Sequence, residues 1–232
     1  MSILYIVATP IGNLEDITKR ALRVLSEVDL ILCEDTRKTK ILLDRFQIKT
    51  SVLSYHQHSK IEKINYIADF LRQGKNIALV SDAGTPGISD PGNKLIEQLL
   101  GFAVKGLKIV PIPGPSAVTT ALSVCGFPTD RFLFLGFAPT KNKRQKFLKE
   151  VAASKCPVLF YESCYRILKT LGELDSLYAK YQLFDAKIVV GRELTKKFET
   201  IYRGNIKDVI MKIKEDEQKG EFVVIIDNKN HG

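Results

Sequence analysis

The chain has 232 residues, 45% of them hydrophobic and 26% charged, so it holds one large domain or two modest ones and is neither disordered nor collagen-like. Four cysteines without a CxxC pair are too few for a disulfide scaffold, and no run of roughly 18 apolar residues marks a membrane span. The net charge of +9, weighted toward the second half, favours polyanionic partners such as RNA, DNA or phosphorylated metabolites. ILYIVAT (3–9) reads as a short strand ending in a Pro/Gly loop, after which Ile17, Ala21, Leu25 and Val28 recur at helical spacing. VDLILCED (28–35) is a second strand, followed by a helix through Ile41 and Leu42 and a short strand at 51–54. Ser59-Lys60-Ile61-Glu62 has the form of a capping box, and Ile61, Ile64, Ala68 and Leu71 share one helical face up to Gly74. NIALV (76–80) is a buried-type strand, and Asp90-Pro91 reads as the cap and first residue of the next helix. KIVPI (108–112) closes this half. Apolar strands alternating with helices predict a parallel α/β sheet, whose ligands bind at the carboxyl ends of the strands.

PIPGPSA, with Pro111, Pro113, Gly114 and Pro115, reads as a hinge between two α/β domains, 1–113 and 114–232. The second begins with a helix between Pro115 and Gly126 and a strand over 131–137. The basic stretch KNKRQKFLK (141–149), strand PVLFYES, a helix around Ile167 to Leu174 and strand AKIVVGREL follow. A hairpin-like KFETIYRG, a helix over 205–217 and a closing strand EFVVIID complete it.

The loops carry the chemistry. There is no GxGxxG and no GxxxxGK[ST], which argues against a dinucleotide Rossmann site and a P-loop. SDAGTPGISDPG (81–92) sits at a strand end, with backbone free to approach a ligand; Asp82 can accept from a ribose or an amine, and Asp90 reads as a helix cap. In CEDTR (33–37), Glu34, Asp35 and Arg37 can bind or deprotonate a hydroxyl, or simply dress a helix N-terminus that Thr36 caps. Adjacent strand residues point to opposite faces, so one site is not expected to use both carboxylates. No metal is expected, because His56 and His58 lack a third ligand nearby. A serine hydrolase is disfavoured: there is no GxSxG, and the second half has no His before His231. Cys125 and Cys156 read as buried and inert. Lys141, Lys143, Arg144 and Lys146 lie in an acid-free stretch behind an aromatic-bearing strand end, which suits the phosphates and stacked bases of RNA, or else a solvated helix face. GRELTKKFET (191–200) gathers Arg192, Glu193, Lys196, Lys197 and Glu199 at a strand end, as a site wall or a surface hairpin.

IVATPIGNLEDIT, CEDTR, NIALVSDAGTPGISDPG, PIPGPSA, GFPTDRFLFLGFAP, FYES and RELTKKFET occur in order from about residue 3 to 226. Together they resemble the tetrapyrrole methylase superfamily, and most closely its RNA-directed branch. Where the superfamily has a GxGPG-type first loop, this chain has Ala8-Thr9-Pro10-Ile11-Gly12-Asn13, a departure that disfavours a tetrapyrrole substrate. The resemblance implies an N-terminal parallel sheet, a C-terminal mixed sheet, a cofactor cleft between them and a homodimer. It implies S-adenosylmethionine held by Asp82, Ala83, Gly84, Ser116, Ala117, Tyr161, Glu193 and Leu194. It also implies 2′-O-methylation of a cytidine in the decoding region of 16S ribosomal RNA in the 30S subunit. A ribose hydroxyl is a weak acid, so a base or cation should help its proton leave; Glu34, Asp35, Arg37 and Lys196 are the candidates. A small-molecule methyltransferase of the same superfamily and a non-catalytic RNA-binding assembly factor remain as alternatives. The N-terminus has no basic lead-in and meets Gly, Asn and acid too early for a signal peptide, so a cytoplasmic protein is expected.

Overall fold

The computed structural model describes residues 1–56, 59–90, 92–183 and 185–228; the expectations for His58, Pro91 and His231 lie outside them. Backbone contacts divide the chain into two units, Met1–Ser116 and Ala117–Gly232. The segment up to Pro115 goes with the first unit for local reasons. Ala8 N–H donates to the Ile112 carbonyl, Thr85 Oγ1 donates to the Pro115 carbonyl, and the backbone at Gly114 runs close against Ala8.

The first unit holds β1 (Ser2–Val7), β2 (Leu30–Cys33), β3 (Val52–Ser54), β4 (Ile77–Leu79) and β5 (Leu107–Ile112), all parallel, in the order β3-β2-β4-β1-β5. Every residue of β2 and β4 is buried, as their unbroken apolar runs require of a sheet covered on both faces. Val7, Ile31, Cys33 and Ala78 pack against α1 (Lys19–Glu27) and α2 (Thr36–Arg45). Leu4, Leu30, Leu32, Ile77 and Leu79 pack against α3 (Ile61–Arg72) and α4 (Gly92–Gly101). The helices that leave β1 and β2 therefore cover one face, and the helix that leaves β4 covers the other. β4 lies between β1 and β2, so the connections diverge around it and open a crevice at the carboxyl ends of these three strands. Pro111 is tolerated because β5 is an edge strand.

In the second unit, β6 (Leu133–Phe137), β7 (Val158–Ser163), β8 (Lys187–Arg192), β9 (Thr200–Gly204) and β10 (Glu221–Asp227) form a mixed sheet in the order β6-β7-β10-β8-β9. Only β6 and β7 pair in parallel. Phe160, Val190, Phe222 and Val224 meet α6 (Arg144–Ala153), α7 (Ile167–Tyr181) and α8 (Ile206–Glu215) in one apolar core. The alternate residues Leu159, Val189, Val223 and Ile225 are buried on the opposite face, where α5 (Ala117–Cys125) lies against β10.

Several local expectations change. The capping box does not form: α3 is capped by Lys60 without a side-chain bond, because the Ser59 hydroxyl accepts from His56 N–H instead. Asp35, not Thr36, caps α2, accepting from Arg37 N–H. The helix after β7 continues past Leu174 to Tyr181, since Tyr178 adds a further buried contact on the same face. Cys125 is buried, but Cys156 is only half-buried. Among the described residues, no helix is long and apolar enough to cross a membrane, and no three His, Cys, Asp or Glu side chains cluster as a metal site would require.

Candidate active site at the strand ends

The loops after β1, β2 and β4 meet at the crevice. Thr9 and Gly84 exchange two backbone hydrogen bonds, of 2.9 and 3.0 Å. The Ser81 hydroxyl turns back onto the Ala83 and Gly84 carbonyls at 3.2 and 3.3 Å. Gly84 adopts φ +82°, a left-handed conformation that costs glycine little. Asp90 fixes the far end of this loop: its Oδ1 accepts from the N–H groups of Gly87 and Gly92, the structural role expected of it.

Asp82 is the hub. Its Oδ1 accepts from Asp35 N–H at 3.0 Å and its Oδ2 from Lys38 Nζ at 2.7 Å, tying the start of α2 to the loop after β4. Lys38 was not singled out in the sequence, because its partner lies 44 residues away. A cavity of about 230 Å³ opens here, lined by Thr9, Ile11, Lys38, Ser81, Asp82 and Ala83 among others. That is below the ~300 Å³ lower end for whole drug-sized ligands, so this part of the crevice holds a fragment of one.

The candidate acids differ in state. The Arg37 guanidinium, bonded to both Asp35 oxygens at 3.0 and 2.7 Å, holds the Asp35 carboxyl far below the usual carboxylate range. Burial, then repulsion from Asp82 and Asp90, pushes Glu34 up. An acid with a raised folded-state pKa costs stability because the unfolded chain ionises first. The penalty is absent below the unfolded value near 4.5 and develops as pH rises through the folded value. Glu34→Gln is therefore expected to raise stability by a fraction of about 1 kcal/mol at pH 7 and by nothing at about pH 3.5, because the site is part-exposed. Thermal melts at the two pH values check this, and an equal effect at both would refute it.

In the second unit, Lys196 Nζ bridges Glu193 Oε1 at 2.9 Å and Glu221 Oε2 at 3.0 Å. Burial opposes the charge on Lys196, yet the two carboxylates win and hold its pKa above the ordinary lysine value. Glu193 Oε1 also accepts from Glu221 N–H at 2.9 Å, and its backbone N–H and carbonyl bond the Glu221 carbonyl and Lys196 N–H, so the residue is tied to β10 and to its own loop. Glu193 and Thr195 both have positive φ, +49° and +67°, which marks a strained loop after β8. Gly220 allows it, since a Cβ there would fall 2.4 Å from Glu193. Leu194 is buried against Gly191. Tyr161 stands between Phe134 and Phe137, edge-on to each at 5.1 Å, and burial lifts its hydroxyl to about 12. Ser116 ends the first unit and Ala117 begins α5.

The basic stretch needs one correction. Lys141, Lys143 and Lys146 are exposed, but Arg144 is buried and bonds Glu173, Thr170 and the Pro139 carbonyl. Its guanidinium is spent inside the protein and does not face a phosphate.

The sequence pattern of the family described as Tetrapyrrole (Corrin/Porphyrin) Methylases matches residues 3–210. The chain belongs to the tetrapyrrole methylase family. Among its curated relatives, ribosomal RNA small subunit methyltransferase I of Escherichia coli O157:H7 is 45% identical over 227 residues, covering 97% of this chain and 77% of the relative. The protein of that name from Thermotoga maritima is 41% identical over 229 residues, covering 99% and 100%. Among solved structures, diphthine synthase superposes with a TM-score of 0.72 at 14% identity, covering 100% of this chain and 92% of that one. Cobalt precorrin-4 methyltransferase does so with 0.69 at 22%, covering 96% and 94%. At those identities they show the fold alone. The cofactor of this methylase-family chain is S-adenosylmethionine. The residues at the strand ends fit it: a pinned, glycine-hinged loop presents backbone, and Asp82 has lone pairs left for a hydroxyl or amino group after its two internal bonds.

Proposed function

We propose that this protein transfers the methyl group of S-adenosylmethionine to the 2′-oxygen of a cytidine in the decoding region of 16S ribosomal RNA, acting on the 30S subunit as a homodimer. What carries the reading is similarity over nearly the whole chain to relatives named ribosomal RNA small subunit methyltransferase I. The net charge of +9 and the exposed Lys141, Lys143 and Lys146 support an RNA partner. The loop of Asp82, Ala83 and Gly84, together with Ser116, Ala117, Tyr161, Glu193 and Leu194, would hold the cofactor. When bound, that group supplies an electrophilic methyl on a sulfonium. The protein's own work is to align the ribose oxygen with it and exclude competing water. Among the four candidates for moving the hydroxyl proton, Glu34 is the acceptor of choice. Its proton affinity is raised, whereas Asp35 is held by Arg37 and Lys196 is held protonated. Arg37 stays a cation and can approach a phosphate.

The test is to incubate the protein with methyl-labelled S-adenosylmethionine and unmodified 30S subunits, then digest the RNA to nucleosides. Label in 2′-O-methylcytidine is expected. Label elsewhere, or none while calorimetry shows cofactor binding, would overturn the substrate. Binding to small-subunit RNA should also weaken steeply from low to high salt as phosphate contacts are lost. A flat salt dependence would refute the role of the lysines.

A further inference from the structure

We propose that Tyr165 and Phe137, at the carboxyl ends of β7 and β6, form a platform on which unpaired bases of the RNA substrate stack. The inference rests on the RNA reading above and adds the element that grips bases rather than phosphates. Tyr165 is 94% exposed and Phe137 58%, so both rings offer a face to a planar partner. Phe137 is the last residue of β6, and Tyr165 lies two residues beyond the end of β7. β6 and β7 run parallel, so both chains leave the sheet at the same end. Arg166 Nη1 donates to the Ala138 carbonyl at 2.9 Å, joining the residue after Tyr165 to the residue after Phe137.

The platform is built on a rigid base. Glu162, with no exposed side chain, accepts from Arg166 at 2.7 Å, from Ser163 N–H at 2.8 Å and from Thr170 at 2.6 Å. Arg144 holds the Pro139 carbonyl at 2.9 Å from the same network. Phe137 is braced edge-on by Tyr161, which fixes its ring while leaving much of it open to solvent. Charge selects the occupant. Lys141, Lys143, Lys146 and Lys169 are exposed around these loops, residues 138–149 contain no acid, and the nearby Glu162 and Glu173 are neutralised by arginines. Exposed rings beside exposed lysine charge suit a base and its phosphate.

The test uses full-length protein and small-subunit RNA, with affinity measured across a salt series. Tyr165→Ala is expected to weaken binding about tenfold, as for the loss of one stacked base. It should leave the salt slope and the affinity for S-adenosylmethionine unchanged, because stacking releases no counterions. Tyr165→Trp should restore binding. Lys146→Ala should instead reduce the salt slope by about one. Unaltered RNA binding by Tyr165→Ala, or equal loss in Tyr165→Ala and Tyr165→Trp, would overturn the platform. So would a loss seen only with assembled 30S subunits, which would move the contact to ribosomal protein. If the wild-type protein binds no small-subunit RNA, the RNA reading itself falls and the platform with it.

Discussion

Asp82→Ala is expected to cut methyl transfer by about 100-fold or more and to weaken S-adenosylmethionine binding, while the protein stays folded. The carboxylate joins two loops: it accepts from Asp35 N–H on one oxygen and from Lys38 on the other. Without it, the loop after β4 and the start of α2 lose their shared anchor. A displacement of about 1 Å at a reacting centre costs on the order of 100-fold in rate. Stability should change little, because Lys38 is 60% exposed and a pair of this kind contributes at most about 1 kcal/mol.

Two further variants separate charge from geometry. Asp82→Asn keeps an oxygen that can accept from Asp35 N–H but loses the ion pair, so it should fall between wild type and Asp82→Ala. Lys38→Met keeps the carboxylate and removes only its partner, and should raise KM for the cofactor more than it lowers kcat. Calorimetric cofactor affinity, steady-state kinetics and circular dichroism on the same samples decide the matter. Cofactor affinity within threefold of wild type in Asp82→Ala, with undiminished turnover, would remove Asp82 from the site.

What the sequence could and could not convey follows from the range of the interactions involved. β2 and β4 are legible because a strand buried on both faces must be apolar at every position, and LILC and IAL are. Asp90 is legible because it acts on Gly92, two residues away. The Asp82–Lys38 pair is not, because it depends on which strands become neighbours. Period and propensity say nothing of the order β3-β2-β4-β1-β5, and that order creates the crevice. Arg144 shows the same limit. In KNKRQKFLK each cation looks alike, but the turn of α6 aims Arg144 at Thr170 and Glu173 and leaves Lys141, Lys143 and Lys146 in solvent. Ser59 fails as a cap because the chain before it bends so that His56 N–H takes its hydroxyl. The family was legible for a different reason: its motifs are long and occur in order, and those of the first unit are the loops that meet after β1, β2 and β4.

The stability of the second unit should hang on Glu162 more than on any apolar substitution of similar size. Its side chain has no exposed surface, and its two oxygens accept from Ser163 N–H, Thr170 and Arg166, with Arg144 4.0 Å away. Glu162→Leu would leave Arg166 without its buried counter-charge and the Ser163 N–H and Thr170 hydroxyl without their acceptor. Breaking a buried pair from one side costs about 3–5 kcal/mol, a large share of the roughly 5–15 kcal/mol that holds a domain folded. The midpoint of thermal unfolding should fall by upwards of about 10 °C. Adding Arg144→Met to Glu162→Leu tests whether the loss comes from stranded charge. Arg144 keeps Glu173 as its closer partner, so the second change should recover little, whereas Arg166→Met in the same background should recover more. Because Arg144 and Arg166 hold the Pro139 and Ala138 carbonyls, the same variant should loosen the loops that carry Phe137 and Tyr165. RNA affinity should then fall even at temperatures where the protein remains folded, with cofactor affinity retained. A melting loss below about 3 °C in Glu162→Leu would show that the network stabilises neither the unit nor its loops.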